Sequence, residues 1–158
     1  MTTLGVTGHQ SLPRSTRDFV AEAIRELLSE TEPPLSAVTA LAAGADQLLA
    51  AELLRAGGRL SVIVPSLDYE RTFTVREDLD SFQALLGAAD AVTRLDYPEP
   101  SEAAFLAAGM AVVDECDRLI AIWDGEPARG LGGTADIVRY ARESGTPVSI
   151  LWPEGAGR

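Results

Sequence analysis

Short apolar runs alternate with helical patterns along the whole chain, and that alternation constrains the fold more than any other feature. Thr3–Thr7, Ala37–Leu41, Leu60–Val64, Ala91–Leu95, Arg118–Trp123 and Val148–Trp152 read as strands. Ser15–Ser29, Ala45–Ala56, Val75–Gly87, Glu102–Cys116 and Thr134–Glu143 read as the helices between them. The first helix carries Val20, Ile24 and Leu27 at i, i+4, i+7 spacing, with Ser15 or Thr16 as N-cap. The second stops at Gly57-Gly58 in the C-cap manner, and Gly145 stops the last. Ser66–Thr74 has no period and reads as a loop over the sheet's edge, while Tyr97–Pro100 reads as a turn. Strict β/α alternation with apolar strands implies a parallel sheet covered by helices on both faces. In such sheets ligands sit at the strands' C-terminal ends, near the point where strand order reverses. One domain over residues 1–153 is expected, with a flexible tail over 154–158.

Glycine collects at that edge. Leu119-Ile120-Ala121-Ile122-Trp123 runs into Asp124-Gly125, then Gly130-Leu131-Gly132-Gly133-Thr134-Ala135-Asp136 opens a helix. A second strand-to-helix junction lies at Leu41-Ala42-Ala43-Gly44-Ala45-Asp46-Gln47, and the first strand ends in Gly8-His9-Gln10. Amides at a helix start lack intrahelical partners, and glycine lets a ligand approach them, which suits phosphate or another anion.

Composition narrows the chemistry. Every one of the 13 basic residues is arginine. The missing lysine removes a Walker A phosphate loop, a Schiff base and pyridoxal-phosphate catalysis. One histidine and one cysteine exclude a His/Cys zinc site and an internal disulfide. We therefore expect no metal and no cofactor. A net charge of −11 argues against a nucleic-acid partner. No apolar run reaches the ~20 residues of a membrane span and no leader pattern opens the chain, so a cytoplasmic protein without a membrane partner is expected.

In order along the chain, Gly5-Val6-Thr7-Gly8-His9, Ala43-Gly44-Ala45-Asp46 with Ala50-Ala51, Val62-Ile63-Val64-Pro65, and the Gly-rich turn from Gly130 to Thr134 resemble the SLOG superfamily. That Rossmann-like group contains the Smf/DprA, LOG and small YspA- and YpsA-like proteins. The resemblance implies a three-layer Rossmann-like α/β fold that binds a nucleotide or nucleotide-derived small molecule. LOG enzymes hydrolyse the N-glycosidic bond of nucleoside 5′-monophosphates with a Pro-Gly-Gly-x-Gly-Thr-x-x-Glu motif and an arginine from the preceding helix. Here Gly130, Gly133 and Thr134 match, but Ile137 stands at the glutamate position and Ala104–Val113 holds no arginine. The resemblance thus implies a ligand-binding or sensor protein. The alternatives are an N-glycosidase that uses His9, Asp124 or Asp136 instead, and a protein-interaction module with a vestigial pocket.

The candidate ligand-binding residues are Gly8, His9, Gln10, Gly44, Ala45, Asp46, Arg71, Asp124, Gly132, Gly133 and Thr134. Several also have purely structural readings. Thr134 and Asp46 suit N-caps, and Asp136 suits the helix dipole. His9 suits a solvated loop, and Arg71, between Tyr69 and Phe73, suits a lid that packs its own aromatics. Trp123 and Trp152 alternate with aliphatics and read as core or interface. The Ala-rich helix at 103–113 suits close packing against a twin, so a homo-oligomer is expected.

Overall fold

A computed structural model describes residues 2–127 and 133–156. The chain runs β1 (Thr2–Gly8), α1 (Arg14–Glu30), β2 (Leu35–Thr39), α2 (Ala45–Arg55), β3 (Arg59–Val64), a 3₁₀ turn (Tyr69–Thr72), α3 (Arg76–Gly87), β4 (Ala91–Arg94), α4 (Glu102–Glu115), β5 (Arg118–Ile122), α5 (Thr134–Glu143) and β6 (Val148–Ile150). The six strands form one sheet in the order β4-β3-β2-β1-β5-β6, and every neighbouring pair is parallel. Successive strands step outward from β1 to β4, and the chain then crosses back to place β5 on β1's other side. The reversal falls between β1 and β5, whose ends are level, with Gly8 opposite Ile122.

Strand alternation divides the core into two layers. Leu4, Val6, Ala37, Leu60, Val62, Ile120 and Ile122 pack with α1, α2 and α3. Val38, Ile63 and Leu119 face α4 and α5 on the other side. Gly5 lets α4 approach β1: a Cβ there would stand 2.8 Å from Cys116 Sγ and 3.0 Å from Val112. The result is the three-layer α/β architecture expected from the pattern.

The helix stops behave as read. Gly57 and Gly145 take left-handed φ of 82° and 76°. Gly58 N–H donates to Leu53 O (2.9 Å) and Thr146 N–H to Ala141 O (2.9 Å), closing two Schellman motifs. The starts differ. Pro13 precedes α1 without a side-chain cap, so Ser15 and Thr16 lie inside the first turn. Gly133 and Gly44 occupy the N-cap positions expected of Thr134 and Asp46. β2 ends at Thr39 rather than Leu41, because Leu41 has φ 58° and turns the chain out of the sheet. Among the described residues no helix is long and apolar enough to cross a membrane.

Candidate functional site

A cavity of about 510 Å³ opens at the C-terminal ends of the central strands. Gly8, His9 and Gln10 from β1 line it, with Ala40 and Ala42 after β2, Pro65 after β3 and Trp123 after β5. Asp46 enters from α2, and Gly133, Thr134 and Ala135 enter from the start of α5. Glu102, Phe105, Gly109 and Val112 present one face of α4 to it.

Several glycine junctions serve chain-to-chain approach. A Cβ on Gly44, whose φ is +79°, would stand 2.5 Å from His9 O. Ala45 N–H donates to that same carbonyl at 3.1 Å. A Cβ on Gly8 would lie 2.5 Å from Ala45 Cβ and 2.7 Å from Ile122 O. Gly44 and Ala45 therefore lock the start of α2 onto the loop after β1 and lie behind the cavity wall, and Gly8 belongs to both the wall and the lock.

Asp46 is 7% exposed. Ala42 N–H donates to its Oδ2 at 3.1 Å, and the Thr39 side chain is a further hydrogen-bond partner. Burial outweighs both bonds and raises its carboxyl to about 7. Tyr69, 4% exposed, also lines the cavity, and its phenol is pushed up by burial and then by the Asp46 charge. Tyr69 packs edge-on against Phe105 with ring centroids 6.1 Å apart, and against Phe73 and Phe82 behind.

His9 and Asp124 meet across the reversal point. Asp124 N–H donates to His9 Nε2 at 3.1 Å, and Asp124 Oδ1 lies 3.3 Å from the same nitrogen. That second contact becomes an ion pair only with the ring protonated. The Asp124 carboxylate also accepts from Glu126 N–H (3.0 Å), and Trp152 stacks edge-on to His9 at 5.2 Å. Asp124 thus orients His9 from behind, while His9 itself reaches the cavity.

Not every predicted residue converges. Asp136 pairs with Arg139 at 2.6 Å on α5 and does not line the cavity. Arg71 pairs with Asp68 at 3.4 Å, its side chain 80% exposed, also outside it. Gly132 lies outside the described residues. Glu102, Phe105, Glu126 and Trp123 line the cavity without having been singled out as ligand residues. A parallel βαβ unit starts each helix at the ligand edge, so the first turns of α4 could have been read as site-forming. The spacing of Glu102, Phe105, Gly109 and Val112 marks the face. Ile137, at the LOG glutamate position, is 2% exposed and packs on Gly109, where a Cβ would meet Ile137 Cγ1 at 2.8 Å.

An all-parallel sheet with a cavity at the reversal of its strand order defines a Rossmann-like α/β domain. Solved structures narrow the fold to that of DNA processing protein A. The chain is similar to DprA from Streptococcus pneumoniae, with a TM-score of 0.71 and 20% identity over 94% of this chain and 50% of that one. It is similar to DprA from Helicobacter pylori, described for its single-stranded DNA binding mode, at 0.66 and 18% over 94% and 64%. It is also similar to the protein TM1055, at 0.59 and 17% over 94% and 72%. The chain thus spans half to just under two thirds of the DprA chains. No protein-family model and no curated protein matches the sequence. The three-layer Rossmann-like fold expected from the motifs is the fold these structures share.

One expectation is corrected. Acidity does not set this fold apart from nucleic acid, because the Helicobacter pylori protein carries the fold and binds single-stranded DNA. Net charge averages the whole surface, whereas a single strand is held by local grooves and base stacking.

Proposed function

We propose that this chain binds a nucleotide or nucleotide-derived small molecule in the cavity at the β1/β5 reversal. One observation carries the reading: the ends of β1 and β5, the first turn of α2 and the start of α5 converge on about 510 Å³ walled by Tyr69 and Phe105. That volume lies within the roughly 300–1,000 Å³ of small-molecule sites. The aromatic wall suits a base, and the first amides of α5 suit a polar or anionic group. With Ile137 packed on Gly109, this floor is apolar at the LOG glutamate position, which supports binding over LOG-type hydrolysis.

The test is a thermal-shift panel of nucleosides, their mono-, di- and triphosphates, dinucleotides, cyclic nucleotides and a short single-stranded DNA. A ligand at 100 times its dissociation constant adds about 2.7 kcal/mol, a visible shift. A mononucleoside-sized hit supports the reading. A shift from single-stranded DNA alone favours the ligand named for Helicobacter pylori DprA, and silence across the panel favours an interaction module. Base release from a hit, lost in Asp46→Asn, would turn the binder into a hydrolase. The homo-oligomer is proposed on the same footing, and a monomer by light scattering at micromolar concentration removes it.

A further inference from the structure

A second cavity, of about 490 Å³, lies at the opposite edge of the sheet, where α1 and α2 end and β2 begins. Glu52 lines it with a side chain only 5% exposed and ties the two helices together. Arg25 Nε donates to one of its carboxylate oxygens at 3.0 Å, and Arg55 Nη1 donates to the other. A guanidinium has five N–H donors, and each arginine commits one of them to that bond. Both arginines line the cavity with side chains 57% and 70% exposed, and among the described residues neither pairs with a second carboxylate. One buried acid thus holds two cations, a local excess of positive charge in a chain whose net charge is −11.

Leu28, Pro33, Leu35 and Ala56 give the same cavity an apolar side. Helix C-termini ordinarily repel anions through their free carbonyls, but here those carbonyls are engaged. Ser29 Oγ donates to Glu26 O at 2.7 Å, Thr31 Oγ1 to Leu27 O at 2.8 Å and Thr31 N–H to Leu28 O at 3.3 Å. At the end of α2, the N–H groups of Ala56, Gly57 and Gly58 donate to Glu52 O, Leu54 O and Leu53 O. We infer that this cavity is a second binding site, for a small organic acid. Its carboxylate meets the remaining donors of Arg25 and Arg55, and its apolar body lies against Leu28, Pro33 and Leu35. The planar fork of arginine matches a carboxylate, and the volume falls within the roughly 300–1,000 Å³ of small-molecule sites. The site shares no described lining residue with the cavity at the β1/β5 reversal and stands independently of the function proposed there.

Benzoate titrated into the isotope-labelled full chain at constant ionic strength, followed by amide chemical shifts, tests the site against benzyl alcohol, benzylamine and inorganic phosphate. Benzoate is expected to move the amides of Leu28, Leu35 and Ala56 saturably, and each other probe to bind more weakly by about tenfold or more. Arg25→Gln and Arg55→Gln should each weaken benzoate by about tenfold as well. Each variant leaves the other arginine on Glu52, so the buried acid keeps a partner, and a melting curve checks that the variant folds. Should either fail to fold, the comparison of probes on the unaltered protein decides. Benzyl alcohol or benzylamine binding as tightly as benzoate would reveal an apolar hollow that ignores charge. Phosphate binding as tightly would reveal an arginine patch that ignores the apolar wall. Either result overturns the inference, as do benzoate shifts confined to the reversal cavity or no saturable shift at these amides.

Discussion

Asp46 titrates near neutrality because folding takes it out of water, and the consequence for stability has a definite sign. Its folded value of about 7 lies above the 3.8 of the free carboxyl, so the native protein holds a proton that the unfolded chain has released. Stability from this group is fully present below about pH 4 and is lost as pH rises through 7. The loss is on the order of 4 kcal/mol. Asp46→Asn cannot titrate, so the melting temperature of the native protein relative to that variant should rise as pH falls from 8 to 4. A constant difference across that range would show that the carboxyl is ionised throughout. Two residues earlier, Gly44→Ala should cost about 2 kcal/mol or more in urea denaturation, because φ +79° and a Cβ 2.5 Å from His9 O strain the same junction. A near-neutral result would mean that the loop after β1 yields.

Among the elements, α4 and α5 depend on one contact between a glycine and a branched side chain. Gly109→Ala must displace Ile137 and should cost about 1–3 kcal/mol. Ile137→Val in the same chain should recover part of it, with a coupling of about 0.5 kcal/mol or more in a double-mutant cycle. Strictly additive costs would indicate helices that move apart freely. The same scale shows what was legible beforehand. Strand and helix positions were readable because burial imposes periods of 2 and 3.6, and the Gly57 and Gly145 stops because only glycine takes that φ cheaply. The Tyr69–Thr72 turn was not, since a single 3₁₀ turn is too short to show a period. At the candidate site, the glycine-rich strand ends pointed to the edge where the cavity opens. They could not show that Gly44 closes on the His9 carbonyl, or that Asp124 N–H meets His9 Nε2, because both facts belong to the packing of one loop on another.

For the whole molecule, charge is the dominant long-range term. With 24 acidic and 13 basic residues the folded chain repels itself, so its melting temperature should rise as sodium chloride increases from about 0.01 to 0.3 M. A falling melting temperature would place the weight on ion pairs such as Arg94–Glu70 instead. The strand order carries a different consequence. β1 through β4 are contiguous in sequence and pair in succession, but β1 meets its other neighbour only when Arg118–Ile122 has been made. A nascent chain that has emerged through β4 already has Gly8, Asp46 and Tyr69 in hand and lacks α4, β5 and α5 to set opposite them. The cavity is a seam between an early half and a late one, and whatever fills it rivets the two together, greeting only a chain whose synthesis has passed its last helix.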